Sequence, residues 1–232
     1  MSQRLLLGLS AFAELRDTIG TLPSMPSLLI FLIARMLYTD GLTAIFTFGG
    51  IYGASVFNWG PLELGMFGIV LTLVGAFGAL IGGRLDDKLG PKTVIIAALL
   101  ILLGGAIGIL SVDKTHILFS TEVAAKAEGS KPFSALGEQV FLAFAVIVGL
   151  VAAPVQAASR SLLARLAPAD KITQFFGLFA FSGKVTAFLA PFLVALVTQV
   201  SGSQRIGMSA VLAFLFIGAA MMLFVKTQPN QA

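Results

Sequence analysis

Three charged side chains stand inside otherwise apolar stretches, and they have the clearest potential for chemistry in this sequence. Arg35 and Asp40 lie between Pro26 and Tyr52, and Lys184 lies between Ile172 and Val200. An ionised group in hydrocarbon is unfavourable unless it has a partner or faces a water-filled cavity. Asp40 and Lys184 carry opposite charges, so they could hold a zwitterionic solute, exchange a proton, or form a permanent structural ion pair.

The depth of each charge follows from the helical rise of about 1.5 Å per residue, if both stretches cross a membrane as helices. Arg35 then lies roughly 10 Å deep, and Asp40 and Lys184 lie roughly 14–18 Å deep from the same side. We therefore expect Asp40 and Lys184 to meet near the midplane. Arg35 and Asp40 are about 140° apart around the helix axis and should not pair directly.

Neutral polar residues extend this set along the same apolar stretches. Thr43 shares a helical face with Asp40, and Tyr38 shares one with Arg35. Gln156 lies beside Pro154 in another apolar stretch, as part of a polar pathway or as an interhelical hydrogen bond only. The candidates for a substrate or ion pathway are Arg35, Tyr38, Asp40, Thr43, Gln156 and Lys184.

The composition argues against most other chemistry. The chain has no cysteine and one histidine, His116, so disulfides, thiolate sites and histidine-based metal sites are not expected, and no cofactor is predicted. No nucleophile–base pair supports catalysis, and we expect no enzyme. The pI of about 9.6 comes without a basic run, which argues against nucleic acid as a partner.

The elements that position these residues are predicted to be helices that cross a membrane. Of 232 residues, 57% are hydrophobic and 11% charged, too few charges to cover the core of a soluble domain. A hydrocarbon core of about 30 Å requires roughly 20 apolar residues in a helix. The sequence predicts an all-α, polytopic bundle of six transmembrane helices. The predicted domain covers residues 26–226, with spans at about 26–52, 62–83, 93–112, 139–160, 172–200 and 205–226.

The distribution of Lys and Arg predicts the orientation of the chain. With the N-terminus inside, nine of these residues lie in inner connections and four in outer ones, which places both termini in the cytoplasm. Residues 1–25 are then an N-terminal cytoplasmic segment at the membrane interface, and residues 227–232 are a cytoplasmic tail.

Several local features follow from this topology. The long loop from Asp113 to Glu138 is expected outside the membrane, with a short strand within residues 115–120. Tyr52 and Trp59 are expected at the outer interface, where amphipathic rings are favoured. Pro191 is expected to kink the fifth span.

The turn between the second and third spans carries a family motif, Gly83-Arg84-Leu85-Asp86-Asp87-Lys88-Leu89-Gly90-Pro91-Lys92. It resembles the G-x-x-x-D-[RK]-x-G-x-[RK] loop of the major facilitator superfamily. The matching positions are Gly83, Asp87, Lys88, Gly90 and Lys92. The resemblance implies a cytoplasmic gating loop, in which an acid pairs with basic residues and a neighbouring helix end until the helices rock apart. Taken alone, the same string is an ordinary basic turn.

Two further stretches resemble a narrower group within that superfamily. Residues 37–41, and residues 156–168 continuing through 175–184, are similar to the C-terminal half of the autophagy-linked vacuolar amino-acid effluxers and their bacterial relatives. The similarity covers most of the chain and places Asp40 and Lys184 inside its motifs. It implies a permease for a small solute, with amino acids as candidates.

The resemblance also implies an architecture. The chain corresponds to one half of a major-facilitator-type fold built from two three-helix repeats, and a second six-helix half or a second copy would complete it. The implied function is secondary active transport by alternating access, with proton or sodium coupling, in a bacterial inner (plasma) membrane. A non-transporting membrane subunit or a truncated transporter remnant is the alternative.

Overall fold

Helices dominate the computed structural model, which describes residues 18–127 and 129–227. In chain order they are α1 (Pro26–Phe57), α2 (Pro61–Leu89), α3 (Pro91–Leu110), α4 (Leu136–Leu166), α5 (Ile172–Val185), α6 (Leu189–Ser201) and α7 (Gln204–Phe224). Short 3₁₀ helices cover Leu22–Ser24 and Ala169–Lys171. Most of the predicted N-terminal segment and of the predicted tail lies outside the described residues.

Six helical segments among the described residues are long and apolar enough to cross a membrane. Five are α1 to α4 and α7, and the sixth, Ala169–Ser201, contains α5 and α6. The predicted all-α bundle of six spans is therefore confirmed. Several helices are longer than the predicted windows, because helical hydrogen bonding continues beyond the apolar stretch. Proline is the first residue of α1, α2 and α3, a position where its missing N–H leaves no helical bond unmade.

The fifth span is interrupted between α5 and α6, at residues 186–188. Pro191 is the third residue of α6 and has no N–H to donate to the carbonyl of Ala187. The helix restarts at Leu189, whose N–H donates to the carbonyl of Thr186 over 2.7 Å. The kink expected from Pro191 is thus a break in the helix, after which α6 restarts two residues before the proline.

Close helix contacts depend on small residues. A Cβ added to Gly78 on α2 would overlap the carbonyl of Leu150 on α4, so only glycine permits this approach. Likewise, a Cβ on Gly105 of α3 would lie 2.7 Å from Cγ2 of Val148 on α4. Helix α4 is therefore held closely by both α2 and α3.

Two helical segments leave most of their apolar surface uncovered. In the most apolar stretch of the α2 span 11% of residues are buried, and in that of the α5–α6 span 17%, against 61% in α1. Exposed large side chains on these two segments include Ile69, Leu73, Phe77, Phe188, Phe192 and Val200. Lipid or another protein body must cover these faces, since apolar helix surfaces are stable against either.

The bundle has two ends, which we name by what they carry. At the terminal end, α1 begins and α7 finishes side by side: the backbone N–H of Lys226 donates to Oγ of Ser27 over 3.2 Å. At the loop end, residues 111–135 connect α3 to α4. This loop contains a two-stranded antiparallel hairpin, β1 (His116–Ile117) and β2 (Thr121–Glu122), and β1 lies within the residues predicted to form a strand.

A buried polar cluster fixes the loop end, and we call Trp59, Glu63, Lys126 and Glu138 the loop-end cluster. Glu138 is 0% exposed, and its carboxylate accepts from Nε1 of Trp59 over 2.7 Å and lies 2.8 Å from Nζ of Lys126. Nζ of Lys126 is also 3.5 Å from Oε1 of Glu63. Burial lowers the pKa of the Lys126 ammonium, but the hydrogen bond and charge of Glu138 outweigh it and leave the pKa raised.

The two aromatic residues expected at the outer interface, Tyr52 and Trp59, are buried within the protein. Trp59 contacts the rings of Phe133 and Phe141, at centroid distances of 5.2 and 5.5 Å. Tyr52 donates its hydroxyl to the carbonyl of Val112 over 3.0 Å. The α3–α4 loop covers both rings, which hydropathy does not show, and their position at the outer interface stays a prediction.

Candidate functional site

A groove of about 410 Å³ runs between α1 and α4 near the middle of both helices. Leu42, Thr43, Phe46, Thr47, Ala152 and Gln156 line it. Thr43 and Gln156, two of the predicted pathway residues, therefore lie together in one groove. Their side chains supply hydrogen-bonding groups in a wall that is otherwise apolar, an arrangement that suits a small solute with polar and apolar parts.

Helical spacing explains which residues share the groove. Thr43 and Thr47 are four residues apart on α1, so they project from the same face. On α4, Arg160 follows Gln156 by four residues and is exposed, which places a positive charge one turn from the groove. The apolar lining residues Leu42, Phe46 and Ala152 were not predicted. For Phe46 the signal was available in its position beside Thr47, three residues after Thr43.

Tyr38 does not enter the groove. Its hydroxyl oxygen is 2.6 Å from Oγ of Ser159 on α4, and both side chains are buried. This hydrogen bond joins α1 to α4 near the groove. Tyr38 therefore holds one wall against the other, a positioning role that sequence alone did not show.

Arg35 is buried against α5 and is 7% exposed. Its Nη1 donates to the carbonyl of Phe179 over 2.8 Å, and its guanidinium carbon lies 3.4 Å from the centroid of the Phe179 ring. A cation held over an aromatic face is stabilised by the ring quadrupole. Gly183 allows this position, since a Cβ there would lie 2.6 Å from Nη1. Arg35 and Asp40 do not form an ion pair, as their helical spacing predicts.

Asp40 is the least satisfied side chain of the candidate set. It is 1% exposed, and neither carboxylate oxygen has a hydrogen-bond partner among the described residues. The hydroxyl of Thr186, at the break between α5 and α6, faces the carboxylate but also completes no hydrogen bond there. Thr186 was not predicted, although a helix break close before Pro191 is a signal that could have drawn attention to it.

The predicted contact between Asp40 and Lys184 is not found. Lys184 is exposed and forms no ion pair within the described part of the chain. The rotation of each residue around the helix axis explains why Lys184 does not contact Asp40. Lys184 and Thr186 are two residues apart, about 200° around a helix axis, so they project to nearly opposite sides. Because Thr186 faces Asp40, Lys184 points away from it. The span that contains Lys184 does pack near Asp40, but the residue of that span that faces the carboxylate is Thr186.

The turn between α2 and α3 has a defined geometry. Gly90 has φ +78°, a left-handed value that favours glycine, and it separates the last residue of α2 from the first of α3. Asp87 and Lys88 are exposed, as is Gly83. The buried acid of this turn is Asp86, at 8% exposure, and not the motif residue Asp87.

Lys92 contacts a neighbouring helix end, whereas the resemblance assigned such a contact to the acid of this loop. Its Nζ donates to the carbonyls of Leu223 and Val225 over 3.1 and 2.6 Å, at the C-terminal end of α7. A cation at this position favours the negative end of the helix dipole. The described residues contain no group of three His, Cys, Asp or Glu side chains that could hold a metal ion.

Comparison with known proteins connects this geometry to a family. The family model described as "Vacuole effluxer Atg22 like" matches residues 5–231. The "Uncharacterized MFS-type transporter YxiO" of Bacillus subtilis is 24% identical over 222 residues, which cover 96% of this chain and 46% of that protein. "Autophagy-related protein 22" of Cryptococcus neoformans is 27% identical over 195 residues, 83% of this chain and 33% of that protein.

The match extends almost from one end of the chain to the other, and it agrees with the six helical spans and with the turn motif at Gly83 to Lys92. The chain spans about half or less of the length of these curated relatives. The sequence resemblance to the major facilitator superfamily is therefore confirmed: the chain is an integral membrane protein that belongs to the vacuole effluxer Atg22-like family of that superfamily.

Proposed function

We propose that this chain is half of a secondary active transporter, which moves a small solute by alternating access along the α1–α4 groove. The observation that carries the proposal is the groove itself, where Thr43, Thr47 and Gln156 place polar groups midway along two apolar helices. Polar groups at that depth are typical of a solute path. Transport, and not catalysis, is the activity assigned.

The proposal includes a second six-helix body that covers the groove, either another half or a second copy of this chain. The curated relatives are about twice as long or longer. The groove side of α1 and the poorly covered faces of α2 and of α5–α6 supply apolar surface for such a body. Transporters of this type bind solute at the interface of two repeats near the midplane.

The solute class we propose is an amino acid or a similar small molecule with a carboxylate. Arg160, one turn from Gln156, is exposed and makes no ion pair in the described ranges. An arginine suits a carboxylate because its planar donors match two oxygens. The family is described as vacuole effluxer Atg22-like, and the Bacillus subtilis relative is named an MFS-type transporter; both agree with a solute carrier.

The orientation we propose places both termini in the cytoplasm of a bacterial cell, in its inner membrane. The excess of Lys and Arg in the connections at the terminal end supports it. A cysteine at Ala124, in the loop, should react with an impermeant reagent from outside. Labelling from the cytoplasm alone would overturn this orientation.

The turn from Gly83 to Lys92 is proposed as the gating loop. Asp87 and Lys88 are exposed and can contact a neighbouring body, while Lys92 already binds the end of α7. Asp87→Asn should change the transport rate, or the balance of inward and outward states, more than the solute affinity. Normal turnover with a normal state distribution would make the loop an ordinary turn.

The transport proposal is tested by solute binding and uptake with the purified chain, alone and co-expressed with a second six-helix half. Gln156→Leu should weaken solute binding by about tenfold, the loss expected for one hydrogen bond to a polar solute. Gln139→Leu, at an exposed position on the same helix, is the matched control and should bind as the wild type does. No binding or uptake in either preparation would favour the alternative, a non-transporting subunit or remnant.

A further inference from the structure

The carboxylate of Asp40 is buried without a hydrogen bond or a counter-charge among the described residues. It is 1% exposed, and both of its oxygens are without a hydrogen bond among the described residues. Removing an ionised carboxylate from water without hydrogen bonds or a counter-charge is strongly unfavourable. Something that the described residues do not supply must therefore satisfy this group.

The charged and titratable groups nearest to Asp40 are directed elsewhere. On α1, Arg35 is held by Phe179 and Tyr38 by Ser159. On α5, Lys184 is exposed, two residues before Thr186. From α7, apolar side chains approach this part of α1, with Leu215 and Phe214 next to Gly41. No described cation neutralises Asp40.

What does face Asp40 is an oxygen at a helix break. The hydroxyl of Thr186 faces the carboxylate and has no partner of its own in the described ranges. Thr186 is the first of the three residues between α5 and α6. Interrupted helices at membrane depth leave backbone oxygens outside the helical ladder, and such breaks are where transporters hold small cations.

We propose that Asp40 and Thr186 form a binding site for one monovalent cation, a proton or a sodium ion. The carboxylate supplies the negative charge and the hydroxyl supplies a further oxygen, the donor set that a hard cation prefers. A bound proton would instead let the carboxylic acid donate to the Thr186 hydroxyl. Either occupant neutralises the carboxylate that the described residues leave unpaired.

The proposed cation site is close to the groove, so a bound cation can affect the groove through α1. Asp40 is one helical turn from Thr43, which lines the groove, so both belong to the same part of α1. Thr186 belongs to the broken span, whose two helices can move relative to each other about residues 186–188. A cation between them joins α1 to this break. Its role in coupling rests on the transport function proposed above, whereas binding itself does not.

The test uses the purified full chain in lipid and measures cation binding without any solute. If the occupant is a proton, the infrared spectrum at neutral pH contains a carboxylic-acid carbonyl band that disappears in Asp40→Asn. If it is sodium, adding NaCl in place of N-methylglucamine chloride raises the unfolding midpoint of the wild type and not that of Asp40→Asn. Asp170→Asn, an exposed aspartate in Ala169–Lys171, is the matched control and should behave as the wild type.

A second variant keeps the test decisive if Asp40→Asn fails to fold. Thr186→Val retains the carboxylate and removes the hydroxyl, so it should shift the carbonyl band or weaken the sodium-dependent stabilisation severalfold. Wild type, Asp40→Asn and Thr186→Val that are alike in both measurements would overturn the site. A chain that binds the cation but never binds or moves a solute would instead contradict the proposed transport function and leave the cation site standing.

Discussion

The two ends of the bundle are held by different kinds of interaction. At the loop end, charged side chains are buried and paired with each other, as Glu138 is with Lys126. At the terminal end, Asp87 and Lys88 are exposed, and the interhelical contact is made by Lys92 to backbone carbonyls of α7. The loop end is thus closed by specific side-chain pairs, while the terminal end leaves Asp87 and Lys88 exposed to another body.

One feature is common to both ends. Lys92 is the second residue of α3 and binds the C-terminal carbonyls of α7, and Arg205 is the second residue of α7 and donates to the carbonyl of Leu110 at the end of α3 over 2.7 Å. The two antiparallel helices therefore hold each other reciprocally, as two inverted three-helix repeats would require. The ends differ in what surrounds this shared contact.

The largest effect is expected from breaking the loop-end cluster. Glu138→Gln removes the charge that Lys126 pairs with at 2.8 Å. It should lower the free energy of unfolding by about 3 kcal/mol, the lower part of the range for a broken buried pair, because Glu63 stays within reach of Lys126. Reversible unfolding in detergent measures it.

The matched control is Glu122→Gln, on the exposed strand β2. It should change the free energy of unfolding by no more than about 0.5 kcal/mol. Equal effects of the two substitutions would show that the loop end is not held by its buried ion pair.

Two adjacent glycines near the terminal end should respond in opposite ways to alanine. A Cβ on Gly82 would lie 2.8 Å from Cα of Pro154 on α4, whereas a Cβ on Gly83 meets nothing within 4 Å. Gly82→Ala should therefore destabilise by about 2 kcal/mol through overpacking. Gly83→Ala should be neutral or stabilise by up to about 1 kcal/mol, as alanine does inside a helix. The free energy of unfolding in detergent tests both variants. If Gly83→Ala were the more destabilising of the two, the packing of α2 on α4 would be refuted.

The reciprocal contact between α3 and α7 should have a smaller effect. Lys92→Met removes the cation from the C-terminal carbonyls of α7 and should destabilise by about 1 kcal/mol, a typical value for a charge at a helix end. Lys114→Met, at an exposed position in the α3–α4 loop, is the control and should have almost no effect. Equal melting temperatures for both variants would show that Lys92 does not stabilise the terminal end.

The sequence predicted what depends on local composition. The six spans follow from hydropathy. The helices differ from them at their ends, as for α2, which continues past residue 83 to Leu89, and at the break in the fifth span. Thr43 and Gln156 line the same groove, as polar residues in apolar helices that face one another do, and their role in a solute pathway stays a prediction.

The sequence did not predict which side chains meet across the fold. The ion pair of Lys126 and Glu138, and the contact of Arg35 with Phe179, join residues from separate elements. For Asp40, depth selected the right element but the wrong residue, because the facing side chain depends on helix rotation near the break and not on depth alone. The rotation of a helix about its axis and the path of a loop are set by tertiary packing, which hydropathy does not encode.

The smallest predicted effect concerns acid sensitivity at the loop end, where Asp113 binds the first residues of the hairpin. Burial acts to raise the pKa of the Asp113 carboxyl, but hydrogen bonds from the backbone N–H groups of Thr115 and His116 outweigh it and leave the pKa below its ordinary value. A carboxyl with a lowered pKa in the folded state stabilises the fold above its ordinary pKa of about 3.9. That contribution is lost as the pH falls through the lowered value.

Asp113→Asn should therefore remove a part of the stability that disappears on acidification, while making the protein slightly less stable at neutral pH. The change should stay below about 1 kcal/mol, because the ion pair of Asp113 with Arg205, at 3.4 Å, is partly exposed to solvent. Free energies of unfolding from neutral pH down to about pH 2 measure it. Asp170→Asn is the matched control at the terminal end, and a wild-type pH profile in Asp113→Asn would show that this carboxyl does not stabilise the loop.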